Sequence, residues 1–450
     1  MFKSLRLVDY ALLAVLAGPV AARAQVPAST TPLMVPVVAP AAVKQYNVRT
    51  YGATGDGETK DTAALQRALD TCAATGGGEV VVPAGNYVTG SLVLGGNTIL
   101  RLEKEAYLLG SPDAEDYPIE TVRFEGAETE GHRALVSATK ADHVGIVGPG
   151  SLVNFRPLGN LRNPRGPVMI EFTDCTNVRL EDFTDRYVRL WSIHLLNCTD
   201  VVVKGIYIRS TEVNGDGMDV DSTKNLRIEK VDIEAGDDAI SLKSGRGLLA
   251  QQTFHPTENV LIKDSTLRST RFAAIGIGTE MSGGVRDVRV ENTTLSGVEN
   301  GVYIKSRDGR GGFIENITFV DDIFEPSPTM VGIDLVTKGI QAKDPVPGTP
   351  DKWARVGNLT FSNITLHDVN AIVAGNNISP ERPVSGLTLA NISGTARRGV
   401  TLSNVVNAKF SNLTVTGFTG NLFNLTNVTG TGLENPAPAA GAAAPPSASP

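Results

Sequence analysis

From about residue 140 the chain repeats a short phrase: a polar residue, an aliphatic, any residue, an aliphatic. It reads His143-Val144-Gly145-Ile146, then Asn177-Val178-Arg179-Leu180, Asp200-Val201-Val202-Val203 and Asn225-Leu226-Arg227-Ile228. Asn259-Val260-Leu261-Ile262, Asp287-Val288-Arg289-Val290, Asn316-Ile317-Thr318-Phe319 and Asn358-Leu359-Thr360-Phe361 follow, with looser copies at Gly386-Leu387-Thr388-Leu389 and Ala408-Lys409-Phe410. Alternation of apolar and polar positions is a strand period, not a helix period. A short strand that returns every twenty-odd residues buries nothing alone, so successive copies must stack. The pattern predicts an all-β, single-domain right-handed parallel β-helix over residues 46–433. Longer spacings between copies mark loops that bulge from the coils. A β-propeller competes, but its blades carry aromatic signatures, and aromatics are only 6% of this chain.

The open end of such a solenoid needs a cover. Asp61 or Thr62 is placed to N-cap a helix to about Ala74, with Leu65, Ala68, Leu69 and Cys72 on one face. Gly76-Gly77-Gly78 stops it, and Glu79-Val80-Val81-Val82-Pro83 begins the first strand. Upstream, residues 1–24 read as a signal peptide: Lys3 and Arg6, an apolar run from Tyr10 to Val20, then Ala22-Arg23-Ala24. Residues 25–45 read as a Pro/Ala-rich spacer and 434–450 as a disordered Ala/Pro tail. The expected location is therefore secreted or periplasmic, with no membrane attachment after signal removal.

Composition changes this picture little. With 41 basic and 48 acidic residues the net charge is −7, and no basic run marks a nucleic-acid binder. Cys175 and Cys198 recur in one local context and read as stacked small apolar residues rather than a bridge. The histidines His132, His143, His194, His255 and His367 lie too far apart for metal-ligand spacing.

Chemistry appears where two neighbouring coils turn acidic. One reads Asn214-Gly215-Asp216-Gly217-Met218-Asp219-Val220-Asp221, the next Gly236-Asp237-Asp238-Ala239-Ile240-Ser241-Leu242-Lys243. Aligning Met218-Asp219-Val220 with Ile240-Ser241-Leu242 sets Asp216 over Asp238, with Asp237 beside it. Stacked strands lie about 4.8 Å apart, so each carboxylate raises the cost of ionising the next. One carboxyl kept protonated beside others kept ionised suits hydrolysis of a glycosidic bond. A calcium site or a solvated acidic turn is an equal reading of the residue types alone.

These two phrases resemble signature motifs of the family 28 glycoside hydrolases, the polygalacturonase family. Tyr51-Gly52-Ala53-Thr54-Gly55-Asp56-Gly57 with Asp61-Thr62, Arg165-Gly166-Pro167 and Trp191-Ser192-Ile193-His194 resemble other parts of it, so the likeness runs from about residue 46 to 425. The resemblance implies inverting hydrolysis of α-linked galacturonate without metal or cofactor. It makes Asp237 the general acid, with Asp216 and Asp238 holding and activating water. The implied partner is an acidic plant cell-wall polysaccharide or its oligosaccharides, and a monomer is expected.

Two departures stand out. Ala273, in Phe272-Ala273-Ala274-Ile275-Gly276-Ile277-Gly278, occupies the place of the family's histidine. Tyr303-Ile304-Lys305 replaces Arg-Ile-Lys and removes a guanidinium suited to fork onto a uronate. Arg307 and Arg310 follow and are candidates to replace it. Asn214, Tyr303, Lys305, Arg307, Arg310, Trp191 and His194 form the expected substrate-binding set, while Lys243, Arg271 and Glu280 read as mainly solvated or turn residues. A rhamnogalacturonan-type hydrolase, a calcium-dependent lyase and a non-catalytic glycan-binding solenoid are the alternatives.

Overall fold

Each of the eight close copies of the phrase opens on a residue in left-handed backbone. His143, Asn177, Asp200, Asn225, Asn259, Asp287, Asn316 and Asn358 all have φ between 52° and 58°. Asn and Asp tolerate this region better than other side chains, and their short polar groups also bond from coil to coil. Asn225 Nδ2 donates to Asp200 Oδ1 at 2.8 Å, Asn259 Nδ2 to Asn225 Oδ1 at 2.8 Å, and Asn358 Nδ2 to Asn316 Oδ1 at 3.0 Å. The Asn and Asp that open these phrases thus serve the turns.

The computed structural model describes residues 43–153, 164–336 and 348–435. The signal-peptide reading, the spacer up to residue 42 and the tail from 436 lie outside the described residues. Gln45, assigned to the spacer, already belongs to the first strand, Gln45–Asn47.

The strands pair in parallel, coil on coil, which with right-handed crossovers makes a right-handed parallel β-helix. Aliphatics of the phrase point inward: Val178, Leu180, Val203, Ile228, Ile262 and Val290 are buried. Each such side chain contributes about 1.5–3 kcal/mol. Phe319 and Phe361 stack with centroids 5.0 Å apart. Cys72, Cys175 and Cys198 are free and buried.

Helix α1, Thr62–Ala74, buries Leu65, Ala68, Leu69 and Cys72 against the first coils. Asp61 is its N-cap residue, as expected, with its backbone carbonyl accepting from Ala64 N and Leu65 N, but its carboxylate accepts from Thr54 N at 2.7 Å and Gly55 N at 2.9 Å instead of capping the helix. Asp61 therefore fastens the preceding loop, and Thr62 Oγ1 accepts from Gly90 N at 2.9 Å.

One row of strands forms the floor on which the acidic phrases sit. Its members stack in order from Leu92–Leu94 through Val136–Thr139, Ile170–Thr173, Ile193–Leu196, Met218–Asp221, Ile240–Lys243, Ala273–Ile277, Asn300–Lys305 and Thr329–Asp334 to the long strand Arg355–Asn377. Two insertions rise beside it. A short helix α2, Gly247–Thr253, follows one floor strand. An antiparallel hairpin, Ile119–Phe124 with Ala127–His132, is inserted between the first two. Its turn is Glu125-Gly126, with φ of 48° and 74°, the two-residue positive-φ turn that matches strand twist.

Candidate active site

Met218 pairs with Ile240 and Val220 with Leu242, the 22-residue offset that stacks Asp216 on Asp238. Carboxylate oxygens of Asp216, Asp237 and Asp238 lie within 4.8 Å of one another. All three line a cavity of about 290 Å³ with Asn214, Trp191, Ser241, Lys243, Glu280, Tyr303, Lys305 and Arg307.

Two lysines balance this charge. Lys305 Nζ lies 2.9 Å from Asp238 Oδ2. Lys243 Nζ lies 2.5 Å from Asp219 Oδ1 and 4.0 Å from Asp216 Oδ2. Burial works against both ammonium groups, yet neighbouring carboxylates outweigh it and hold both above the ordinary lysine range. Ammonium groups at these distances occupy the side from which a cation would need further oxygens, since calcium takes 6–8. The arrangement therefore fits proton transfer better than a calcium cage.

Asp238 is aimed by three further contacts. Ala273 N donates to its Oδ1 at 3.3 Å, Ser241 Oγ to its Oδ2 at 3.4 Å, and Gly276 leaves it room. A Cβ built on Gly276 would lie 2.6 Å from Asp238 Cγ. Where the family's histidine was expected, the buried Ala273 thus offers its backbone N–H.

Burial, then the charge of Asp238, pushes Asp237 up to about 7, against the opposing pull of Lys305 and Lys243. Burial, then Asp219 and Asp237, raises Asp216 well above the usual carboxylate range. Three interacting carboxyls release their protons as a group. The cluster thus retains protons near neutrality, and its half-buried member, Asp237, is the one most open to a ligand.

Of the expected binding residues, Asn214, Tyr303, Lys305 and Arg307 line the cavity. Trp191 borders it but is 3% exposed. Phe124 covers it, with centroids 4.8 Å apart, and Lys243 Nζ sits 4.2 Å from its ring centre. It is a packed wall rather than an open stacking platform. His194 is 1% exposed and absent from the lining; its Nδ1 lies 3.4 Å from Glu171 Oε1, while Glu171 Oε2 pairs with Arg165 at 2.9 Å. Arg310 is buried too, its Nε donating to Thr279 O at 3.0 Å. Both are corrected from sugar contacts to supports beneath the site. Lys243 and Glu280 are corrected the other way, from solvated or turn positions to cavity lining.

Sequence reasoning missed Glu125, Gly276 and Glu299. The first sits at the tip of the hairpin, for which Glu125-Gly126 between two runs of strand residues was the available signal.

Comparison with known proteins follows from this geometry. The sequence family described as glycosyl hydrolases family 28 matches residues 72–414. A probable polygalacturonase from Vitis vinifera is 28% identical over 362 residues, covering 70% of this chain and 73% of that protein. A hyperthermoactive exopolygalacturonase from Thermotoga maritima superposes with a TM-score of 0.73 at 25% identity, covering 83% of this chain and 92% of that one. A family 28 exopolygalacturonase from Yersinia enterocolitica gives 0.76 at 21% identity, over 88% of this chain and 80% of that one, a likeness of fold.

Proposed function

The chain belongs to glycosyl hydrolase family 28 and is a glycoside hydrolase; from that premise we propose that it cleaves α-linked galacturonate in pectic polysaccharide or its oligosaccharides. The observation that carries this reading is the cluster of Asp216, Asp237 and Asp238 within 4.8 Å, charge-balanced by Lys305 and Lys243.

In the proposed reaction Asp237, pushed up to about 7, gives its proton to the glycosidic oxygen as the bond to the anomeric carbon breaks. A water held by Asp216 and Asp238 attacks that carbon and passes its proton to Asp238, which Lys305 pairs at 2.9 Å. Arg307, which lines the cavity, would meet a uronate carboxylate in place of the arginine that Tyr303 supplants. Metal plays no part in this scheme. The chain is read as exported, on the residue pattern of positions 1–24.

The stereochemistry rests on the family resemblance, which implies inversion. Oxygens within 4.8 Å are closer than the roughly 6.5–9.5 Å common between carboxyls of inverting enzymes and nearer the ~5–5.5 Å of retaining ones. A water lodged beside the Asp216–Asp238 pair, rather than between acid and base, reconciles the two. Proton NMR of the first product decides: the β-anomer is expected, and the α-anomer refutes inversion.

The function itself is tested on purified homogalacturonan and rhamnogalacturonan, side by side with EDTA. Saturated reducing sugars are expected, chiefly from homogalacturonan. Unsaturated, EDTA-sensitive product would make the protein a lyase, and binding without cleavage would make it a glycan-binding solenoid.

A further inference from the structure

The hairpin at 119–132 leaves the solenoid between the floor strands Leu92–Leu94 and Val136–Thr139 and reaches across the floor. On the leading edge, Phe124 packs on Trp191, two residues ahead of the strand Ile193–Leu196, and Arg165 lies over the Phe124 ring at 6.0 Å. On the trailing edge, Gly126 O accepts from Arg246 N at 3.2 Å, just beyond the strand Ile240–Lys243. Arg123 pairs with Asp221, the last residue of its floor strand, at 3.6 Å. Gly126 also packs so tightly that a Cβ there would lie 2.9 Å from Glu280 Cβ. Contacts on both edges mean that the tip bridges the floor from wall to wall.

The bridge divides the floor. On one side lies the cavity of the three aspartates, to which the tip contributes Glu125. On the other is a separate space of about 690 Å³ over earlier coils and the trailing ends of the two aspartate-bearing ones, lined by hairpin residues Glu120–Arg123 together with Ser137, Thr173, Ser222, Ser244 and Leu249. Away from the hairpin, the catalytic lining passes instead to Phe272, Glu299, Tyr303 and Arg307, and Phe272 is 37% exposed. The catalytic cavity, about 290 Å³, is at the lower limit of small-ligand pockets, roughly 300–1,000 Å³.

We infer that the Phe124–Ala127 tip is a chain-end stop: a polysaccharide terminus abuts it, so the enzyme releases single terminal sugars and does not cut internally. This rests on the galacturonan reading above. An internal cut needs sugars on both sides of the aspartates along the floor, and the tip occupies one of those sides. Only a terminus fits against Glu125, with the remaining chain running out past Phe272 and Glu299.

The test uses the wild-type protein on long homogalacturonan, following viscosity, reducing ends and product length from the first few per cent of cleavage. Galacturonate monomer from the outset, with viscosity nearly unchanged, is expected. Early oligomers of many lengths with collapsing viscosity would overturn the stop while leaving the galacturonan reading intact. No cleavage of any galacturonan would overturn both. A variant with Arg123–Glu128 replaced by a tight Asn-Gly turn should shift early product from monomer to an oligomer ladder. If that variant folds, by an unchanged circular dichroism spectrum, and still yields only monomer, the stop lies elsewhere and the inference fails. Phe124→Ala, which loosens the leading-edge anchor without shortening the hairpin, should give a partial shift in the same direction.

Discussion

Replacing Gly276 by alanine adds one methyl group directly behind the Asp238 carboxylate. The new Cβ would meet Asp238 Oδ2 first, well inside contact distance, and would stand 2.6 Å from Cγ and 3.1 Å from Oδ1, whereas ordinary contact begins at 3.4 Å. The carboxylate must therefore retreat by about 1 Å or more relative to Gly276, and it cannot do so without straining its contacts to Lys305, Ala273 N and Ser241. Gly276 is not among the residues with positive φ, so alanine meets no backbone penalty and the fold should survive. A displacement near 1 Å in a reacting group costs about 10²-fold in rate. Gly276→Ala should thus lower kcat on galacturonan by about 10²-fold, with KM moved far less and the melting temperature lowered by only a few degrees. Reducing-end release and differential scanning fluorimetry on the same preparation measure both. A folded Gly276→Ala with wild-type kcat would refute the placement of Asp238 at the reacting atoms.

Other expectations follow from the same charges. Activity should fall as pH rises through about 7, because burial and Asp238 set the Asp237 proton there; a rate that keeps climbing above pH 8 contradicts it as the acid. Stability should also decline from about pH 4 to 8: fully buried Asp185, packed between coils at Leu152 and Ile208, is pushed up to about 8 by burial, so its neutral form stabilises the fold and ionisation opposes it. Asp185→Asn should flatten that decline in thermal melts, at ~1.4 kcal/mol per pH unit. Lys243→Met leaves Asp219 buried without its ammonium and should cost about 3–5 kcal/mol in denaturant unfolding, with much of it recovered in Lys243→Met/Asp219→Asn. Arg307→Ala should raise KM for galacturonan about tenfold or more, through loss of a charge-assisted contact, and an unchanged KM would remove Arg307 from uronate recognition.

Much of this was legible in the chain because the solenoid writes its geometry locally. The polar residue of each phrase is the left-handed turn, the aliphatics around it are the core, and a 22-residue offset is enough to bring Asp216 over Asp238. Depth was not legible. Lys243 and His194 occupy outward positions of floor strands, which sequence phase alone marks as solvent-facing. The hairpin tip and neighbouring loops cover that face, so Lys243 is buried against Trp191 and Asp219 and His194 beside Glu171. The hairpin precedes the repeat and has a charged sequence, so it left no trace in the periodic pattern. Asp61 takes the N-cap position, but its side chain makes no capping bond because the amides of Thr54 and Gly55 already hold the carboxylate.

The central claim is that Asp237 delivers the proton to the departing oxygen. The most direct measurement compares Asp237→Asn with the wild-type protein on two substrates: an oligogalacturonide, whose leaving alcohol needs that proton, and an aryl α-galacturonide bearing a nitrophenol that leaves without it. General-acid loss predicts a fall of about 10²–10⁴-fold on the oligosaccharide and a far smaller fall on the aryl substrate. Equal losses on both, in a protein that remains folded, would contradict the assignment.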